Sequence, residues 1–312
     1  MADMRGARRV TVLPFGVLGW TGRPDAVPEA RTDESLFASL VDDAGTFPPE
    51  LLTMPAAVRR HRSDVVAGDP VHTNRFLCRV ADLHDLLGQL RADDAFELAL
   101  IGAEPLDTLD RAALECANQS RVSLVAVEHP LTEAGPAGLR AALAATPWVS
   151  GRLTRYVEIP QPGPEDLLKA LHDQGCAAKL RCGGLRSEFF PSCEALASTV
   201  HGLIAVGVPF KATAGLHRAV RYRDDRTGFT HHGFLNLLVA VAAAVNGAAL
   251  GDIVRVLEQT DPDALVCQVG SMTLDVVTKV RQAFMSYGSC STAEPVDELA
   301  ALGLIHREGK LA

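Results

Sequence analysis

The 312-residue chain is 47% hydrophobic and carries a formal net charge of −8, with a sequence pI near 5.7. An acidic chain lacks the basic face that nucleic-acid binding requires, so small molecules or other proteins are the expected partners. The seven cysteines show no CxxC spacing, which argues against a disulfide framework or a structural zinc site and favours a reducing cytoplasmic location.

Residues 1–33 are predicted to form an irregular N-terminal arm, and residues 34–312 a single domain. After the arm, short aliphatic or β-branched runs alternate with stretches of helical periodicity, which is the pattern of successive βα units. The first seven predicted strands are 36–41, 76–80, 98–101, 122–127, 156–159, 177–180 and 209–213. The helices predicted between them include 55–61, 82–91, 109–117, 164–172 and 193–206.

The eighth strand is harder to place because a long segment separates it from the seventh. The segment contains an apolar helix from Gly233, a helix at 250–259, and an ambiguous run, 264–269, which is itself a candidate strand. We assign the eighth strand to 283–287, because Gly-Ser-Cys-Ser and a predicted helix at 295–302 follow it. The apolar run 234–245 is shorter than the roughly 20 residues that span a membrane, and it is predicted to be a buried helix.

The alternation of strands and helices predicts an α/β fold, a (β/α)8 TIM barrel, whose typical domain has about 250 residues. The barrel would carry the N-terminal arm and a helical insertion between strands seven and eight. An open doubly wound sheet is the competing architecture. The chain has neither a GxGxxG segment after a first strand nor a P-loop, and this favours the barrel.

Charged residues fall at the predicted strand ends, where the catalytic groups of a parallel barrel collect. They are Asp42, Asp43, Arg79, Glu128, Glu158, Lys179, Arg181 and Lys211. Charges inside short apolar strands are costly unless they are paired, so several of these side chains are expected to face one another in one wet pocket. A purely structural interpretation stays open, because an interior Lys–Glu pair can serve packing alone and an Asp before a glycine turn is ordinary turn chemistry.

Two lysines give the most specific functional signal. Lys179 and Lys211 each lie in a strand-like run that leads into a glycine-containing turn, and parallel strands would place them side by side. Repulsion between two ammonium groups, together with burial, lowers the pKa of one of them, and a neutral amine is a nucleophile. The pattern therefore predicts a lysine nucleophile.

The segment after the seventh strand is rich in histidine and arginine. It contains His217, His231 and His232, with Arg218, Arg221, Arg223 and Arg226 among them. Such a loop can either close over an anionic substrate or remain a solvated charged loop. Adjacent histidines do not share a helix face, so His231 and His232 are a weak metal-binding signal.

Three segments resemble, in order, motifs of the class I Schiff-base aldolases of the deoxyribose-phosphate aldolase type. KLRCGG at 179–184 resembles that family's Lys-Thr-Ser-Thr-Gly segment, KATAGLH at 211–217 its Lys-Ala-Ser-Gly-Gly-Ile segment, and YGSCS at 287–291 its Gly-Thr-Ser phosphate turn. The resemblance implies that Lys179 forms the Schiff base and that Lys211 depresses its pKa. It also implies that backbone amides around Gly215, Gly288 and Ser289 bind a phosphate or another anion.

The chain departs from the family pattern at two points that matter for the substrate. Arg181 replaces a small residue, and a long insertion separates the last two motifs. Arginine suits a carboxylate or a larger anion better than a simple sugar phosphate. The chain is also similar to bacterial proteins that have no assigned activity.

These observations predict a lyase or aldolase that acts on an anionic carbonyl metabolite through a lysine imine, without a cofactor. Lys179 would be the nucleophile, Lys211 would keep its amine partly neutral, and Glu128 or Glu158 would move protons. The predicted substrate-binding residues are Asp43, Arg79, Arg181, Gly183, Gly184, Gly215, His217, His232, Gly288 and Ser289.

Two alternative functions remain open at this stage. In the first, Mg²⁺ or Mn²⁺ is held by Asp42 or Asp43, Glu128, Glu158 and a histidine, and Lys179 is a general base. In the second, the barrel binds an anionic ligand or a partner protein without catalysis. A homodimer is a general expectation for such a barrel.

Overall fold

The computed structural model describes residues 32–102, 105, 107–131, 133, 135–146 and 153–306. The strands are β1 (Val41–Asp43), β2 (His72–Arg79), β3 (Phe96–Ile101), β4 (Val122–His129), β5 (Thr154–Glu158), β6 (Ala177–Arg181), β7 (Phe210–Thr213), β8 (Tyr222–Arg223), β9 (Thr230–His231) and β10 (Phe284–Ser289). Eight of them form a closed, all-parallel barrel in the order β1-β10-β7-β6-β5-β4-β3-β2, and β8 and β9 pair as a short antiparallel hairpin. The fold is therefore a (β/α)8 TIM barrel, as the sequence predicted.

Helices follow the barrel strands around the outside. They are α1 (Thr32–Phe37), α2 (Met54–Ala67), α3 (Leu83–Gln89), α4 (Asp107–Ala117), α5 (Pro136–Ala144), α6 (Glu165–Asp173), α7 (Cys193–Val206), α8 (Phe234–Val245), α9 (Leu250–Glu258), α10 (Pro262–Gly270), α11 (Leu274–Ala283) and α12 (Ala293–Ala301). The predicted insertion between the last two barrel strands is helical and comprises α8 to α11. The N-terminal half of α8 is buried, and Asn236 is tolerated there because its amide donates to the carbonyls of Val256 and Gln259.

The main core lies between the barrel and the surrounding helices. Leu180 and Phe210 of the barrel belong to the same buried cluster as Leu196 and Leu203 of α7. The helical stretch Ser187–Val206, which includes α7, is apolar and long enough to cross a membrane by length and composition, a test that core helices also pass. Here α7 packs as one of the barrel helices.

The interior of the barrel is lined differently from the outer core. Its apolar residues are mostly small, and its cluster includes Ala44, Ala99, Ala126 and Ala177. Small side chains leave space that long polar side chains from the other strands can fill. The barrel interior therefore admits a row of charges instead of a purely apolar layer.

The first predicted strand, 36–41, is wrong. Leu36 and Phe37 end α1, and the strand is Val41–Asp43. Two of its three residues, Asp42 and Asp43, are acidic, so the strand gives little hydrophobic signal in the sequence. In the folded barrel both carboxylates pair with basic side chains. The apolar run just before β1 belongs to α1 and to the link between α1 and β1.

The other predicted elements agree with the structure to within a few residues. The eighth barrel strand is β10, which confirms the choice of 283–287, and the ambiguous run 264–269 lies in α10. Helices α5 and α11 and the β8–β9 hairpin were not predicted. The predicted arm lies outside the described residues apart from Thr32 and Asp33, which begin α1.

Candidate active site

Seven charged side chains of alternating sign form a row through the barrel interior. Taken in contact order, they are Arg75, Asp42, Lys211, Glu128, Lys179, Glu158 and Arg181. The successive N···O distances are 3.2, 2.6, 2.7, 2.7, 3.1 and 2.7 Å. Four cations and three carboxylates give the fully ionised row a net charge of +1. We call this set the charge row.

The strand register brings the two lysines together. Lys179 on β6 pairs with Lys211 on β7, and Glu158 on β5 pairs with Lys179. Neighbours in a parallel register point to the same side of the sheet, so these three side chains share the barrel interior. The prediction that the two lysines lie side by side is confirmed.

Lys211 occupies the closed part of the charge row. Its side chain has no solvent exposure, and its Nζ donates to Asp42 Oδ2 at 2.6 Å and to Glu128 Oε1 at 2.7 Å. Burial alone would lower the pKa of Lys211, but attraction to Asp42 and Glu128 outweighs burial and raises it above its ordinary value. Lys211 is therefore a permanent ammonium ion at neutral pH.

Both carboxylate oxygens of Asp42 accept hydrogen bonds from neighbouring side chains. Its Oδ2 also accepts from Ser286 Oγ at 2.9 Å, and its Oδ1 accepts from Thr73 Oγ1 at 2.8 Å and Arg75 Nη1 at 3.2 Å. Burial would raise the pKa of Asp42, but Lys211 and Arg75 outweigh burial and lower it. Asp42 therefore anchors the buried end of the charge row.

Glu128 links the buried and exposed parts of the charge row. Its Oε1 binds Lys211, and its Oε2 lies 2.7 Å from Lys179 Nζ. Burial would raise the pKa of this carboxyl group, but Lys179 and Lys211 outweigh burial and bring it to about 2. Glu128 is therefore an anion at neutral pH that binds both lysines at once.

Lys179, Glu158 and Arg181 form the open part of the charge row. All three line a cavity of about 1430 Å³, whereas Lys211 does not. Arg181 donates to Glu158 through Nε at 2.7 Å, and its side chain is 36% exposed against 6% for Lys179. Burial would raise the pKa of Glu158, but Lys179 and Arg181 outweigh burial and lower it.

The cavity has two contrasting walls. One carries aromatic rings from the β6–α7 loop and the β8–β9 hairpin, and we call it the aromatic wall: Phe189, Phe190, Tyr222, Phe229 and His231. The other carries carboxylates, most of them from α12, and we call it the acidic wall: Glu50, Glu294, Asp297 and Glu298. Arg181, Arg186, Arg218 and Arg226 add positive charge to the lining.

Three other predicted binding residues do lie at this cavity. Gly184, Gly215 and His217 contribute to its lining. Burial lowers the pKa of His217 to about 4, and the adjacent His231 adds to the effect, so His217 is a neutral imidazole at pH 7. His217 can therefore accept or donate a hydrogen bond there without carrying charge.

Three predicted binding residues are drawn into structural contacts away from the cavity lining. Asp43 binds Arg60 at 2.5 Å and His61 at 3.0 Å, and Arg79 binds Asp82 at 2.7 Å. His232 places its Nε2 2.8 Å from the Pro191 carbonyl oxygen and its Nδ1 3.2 Å from Arg221 Nη1. Contrary to the prediction from the sequence, Asp43, Arg79 and His232 are not among the residues that line the cavity.

The predicted glycine and serine phosphate turn also differs from expectation. Gly183 packs on the backbone of Gly215, where a Cβ on Gly183 would come within 2.7 Å of the Gly215 Cα. Gly288 faces Leu77 in the barrel interior, and Ser289 Oγ donates to the Ser291 carbonyl at 2.6 Å. Of the three residues expected to bind phosphate, only Gly215 lines the cavity.

Several residues of the site carry little signal in the sequence. Arg75 and Ser286 both donate hydrogen bonds to Asp42 of the charge row. Their only sequence signal is that each lies two residues before another inward-facing residue of the same strand, Leu77 on β2 and Gly288 on β10. The aromatic wall was missed because its rings come from loops. The Phe189–Phe190 pair directly after the Lys179 segment was the one available cue.

The part of the chain that the structure describes contains no group of three or more His, Cys, Asp or Glu side chains placed to share a metal ion. The carboxylates of Asp42 and Glu128 bind Lys211 instead. Comparison with protein-family models and with curated proteins finds no match to this chain.

Proposed function

We propose that this TIM-barrel protein is a lyase of the aldolase type, in which Lys179 forms a Schiff base with a carbonyl substrate. One observation carries the proposal. Lys179 lies at the cavity between two carboxylates, 2.7 Å from Glu128 and 3.1 Å from Glu158. A lysine that served only to neutralise buried charge would have no need to line the cavity.

The first chemical step is the loss of a proton from the Lys179 ammonium group. Each carboxylate is held by two cations, but we assign the proton to Glu158, because its side chain is 26% exposed against 1% for Glu128. The neutral amine then attacks the carbonyl carbon and forms a carbinolamine. Departure of water, with a proton supplied by Glu158, leaves an iminium ion.

The charge row suits this iminium ion electrostatically. The iminium nitrogen carries the same positive charge as the ammonium nitrogen that it replaces, so Glu128 stabilises both. Lys211 holds Glu128 ionised and fixed, since it donates to the other carboxylate oxygen. The environment therefore suits a cation at Lys179 before and after the imine forms, so the ion pair with Glu128 is kept through the step.

Carbon–carbon cleavage follows from the electron demand of the iminium ion. A base removes the proton of a hydroxyl group β to the iminium carbon, the C–C bond breaks, and its electrons form an enamine. An aldehyde leaves, the enamine carbon takes up a proton, and water hydrolyses the resulting iminium ion to release Lys179. We assign these proton transfers to Glu158, whose Oε2 lies 3.1 Å from Lys179 Nζ.

Borohydride trapping tests the proposed nucleophile. Full-length protein incubated with a carbonyl compound and sodium cyanoborohydride should gain the mass of the reduced adduct, and peptide mapping should place it on Lys179. Lys179→Ala should show no adduct, whereas Lys169→Ala, which removes a solvent-exposed lysine of α6, should react like the wild type. An adduct of equal yield in Lys179→Ala would refute the assignment.

The same preparation separates the alternative functions. Turnover that is lost on chelation and restored by Mg²⁺ or Mn²⁺ would favour metal-assisted chemistry with Lys179 as a base. Ligand binding with neither turnover nor an adduct would favour a binding protein.

A further inference from the structure

The cavity is larger than a small carbonyl compound requires. Its volume is about 1430 Å³, whereas ligand pockets typically measure about 300–1,000 Å³. A ketone or aldehyde of a few carbon atoms at Lys179 would leave most of this space to water. The dimensions therefore fit a substrate whose carbonyl group is one end of a larger molecule.

The aromatic wall provides the surface for that larger part. Phe190 lies 4.9 Å from Phe229 and 4.8 Å from His231, and Tyr222 stacks on His231 at 4.9 Å, all as ring-centroid distances. These rings support one another, so the wall is a built surface instead of a set of independent side chains. Phe190 and Phe229 offer apolar contact to a ligand, whereas Arg218 lies over the ring of Tyr222 at 4.5 Å.

Leu185 adds exposed apolar surface to the cavity lining. It is 79% exposed and lines the same cavity, in the loop that connects the Lys179 strand with α7. Exposed apolar surface is unfavourable in water, and a ligand that covers it gains affinity. The apolar lining of the cavity therefore includes a residue that is largely exposed to solvent.

The acidic wall argues against a phosphate group in its part of the cavity. Glu294 lies in the first turn of α12, at the end of the turn that the aldolase resemblance assigned to phosphate, and Asp297 and Glu298 follow it. Burial raises the pKa of Glu294, and Glu50 and Glu298 add to the effect by repulsion. A phosphate dianion placed there would be repelled by the same carboxylates.

We propose that the substrate of Lys179 is an aromatic or extended apolar ketone or aldehyde whose ring packs on the aromatic wall and Leu185, and not a sugar phosphate. This inference rests on the proposed Schiff-base function, because it uses Lys179 as the point of attachment. The aromatic wall carries no nucleophile or carboxylate, so it acts as a binding surface and the chemistry remains with the charge row.

The test compares the yields of adduct that 4-phenyl-2-butanone and 2-butanone give in the trapping assay. Calorimetry separately measures the binding of 4-phenyl-2-butanol, which has no carbonyl group. In the wild type, adduct formation should reach half of its maximum at a phenyl ketone concentration about tenfold or more lower than the 2-butanone concentration that is needed. Leu185→Ser and Phe229→Ala should each weaken the binding of the two phenyl compounds by about threefold to tenfold, a larger loss than either variant shows with 2-butanone. Val66→Ser on α2, an equally simple change at a residue that is 87% exposed, is the matched control.

The outcomes separate this inference from the function on which it rests. Equal half-saturation by the two ketones, with no effect of Leu185→Ser or Phe229→Ala, overturns the inference and leaves the Schiff base intact. Wall-dependent binding of 4-phenyl-2-butanol without any ketone adduct supports the aromatic surface and rejects the Schiff base. Displacement of 4-phenyl-2-butanol by millimolar inorganic phosphate would overturn the inference as well.

Discussion

The closed and the open part of the charge row contain the same kinds of side chain in different surroundings. Lys211 is closed in by Asp42, Glu128 and the ring of Tyr156, whose centroid lies 5.2 Å from its Nζ. Lys179, at the neighbouring register position, has the cavity in front of it. Adjacent and identical residue types are therefore expected to differ in role, one holding the barrel together and the other meeting the substrate.

This difference changes the role first expected for Lys211. Repulsion from a second ammonium ion was the reason to expect a reactive amine at Lys179. The charge of Lys211, however, is balanced by two carboxylates at hydrogen-bond distance. We propose that Lys211 acts on Lys179 through Glu128, by keeping that carboxylate ionised and in place.

Removing the charge of Lys211 should have the largest effect on stability. Lys211→Met keeps the length of the side chain but leaves Asp42 and Glu128 buried with one cation fewer each. Breaking a buried ion pair from one side costs about 3–5 kcal/mol, so the free energy of unfolding in urea should fall by that amount. Lys179→Met should cost less, because Glu128 keeps Lys211 and Glu158 keeps Arg181.

A double variant keeps this comparison testable if Lys211→Met fails to fold. Lys211→Met combined with Asp42→Asn removes one charge of each sign, and it should recover part of the lost stability. Equal losses for Lys211→Met and Lys179→Met would contradict the distinction between a closed and an open end.

Acid should lower the stability of the protein, because it protonates Glu128 and Asp42 in the closed part of the charge row. The pKa of Glu128 is lowered from 4.5 to about 2, and that of Asp42 is lowered as well. A group with a depressed native pKa contributes stability above its unfolded pKa, and this contribution is lost as the pH falls through the native value. The free energy of unfolding should therefore fall between about pH 4.5 and pH 2, by about 3 kcal/mol from Glu128 alone.

Urea unfolding at a series of pH values measures this acid limb. Glu128→Gln should be less stable than the wild type at neutral pH, and its stability should fall less steeply over the same acid range. Parallel acid limbs for the two proteins would show that Glu128 is not held ionised by the lysines.

The sequence predicted the barrel because most strands are short apolar runs bounded by glycine, proline or polar turns. It also predicted the lysine pair, since a charge inside such a run is unfavourable without a partner. It failed at β1, whose Asp42 and Asp43 lie there because of partners on distant elements. No local pattern reveals a strand that is stabilised by residues elsewhere in the chain.

The division between structural and cavity-lining residues also lay beyond the sequence. Asp43 and His232 have the residue types and positions of binding residues, but their partners, Arg60 and Pro191, lie on other elements. The aromatic wall combines Phe190 with Phe229, two loop residues whose contact requires the folded hairpin. These features depend on long-range contacts, and one sequence does not specify them by periodicity or spacing.

Replacing Arg181 should have the smallest effect on stability, and it distinguishes the open part of the charge row from the closed part most directly. Its ion pair with Glu158 is partly exposed, and Lys179 also neutralises Glu158, so Arg181→Met should reduce stability by less than about 1 kcal/mol. Water and salt screen exposed pairs much more than buried ones. The effect of Arg181→Met should therefore shrink when NaCl is raised to about 0.5 M, whereas the effect of Lys211→Met should persist. A salt response of the same size in both variants would mean that solvent reaches the whole charge row, and the assignment of Lys211 to a closed structural end would then fail.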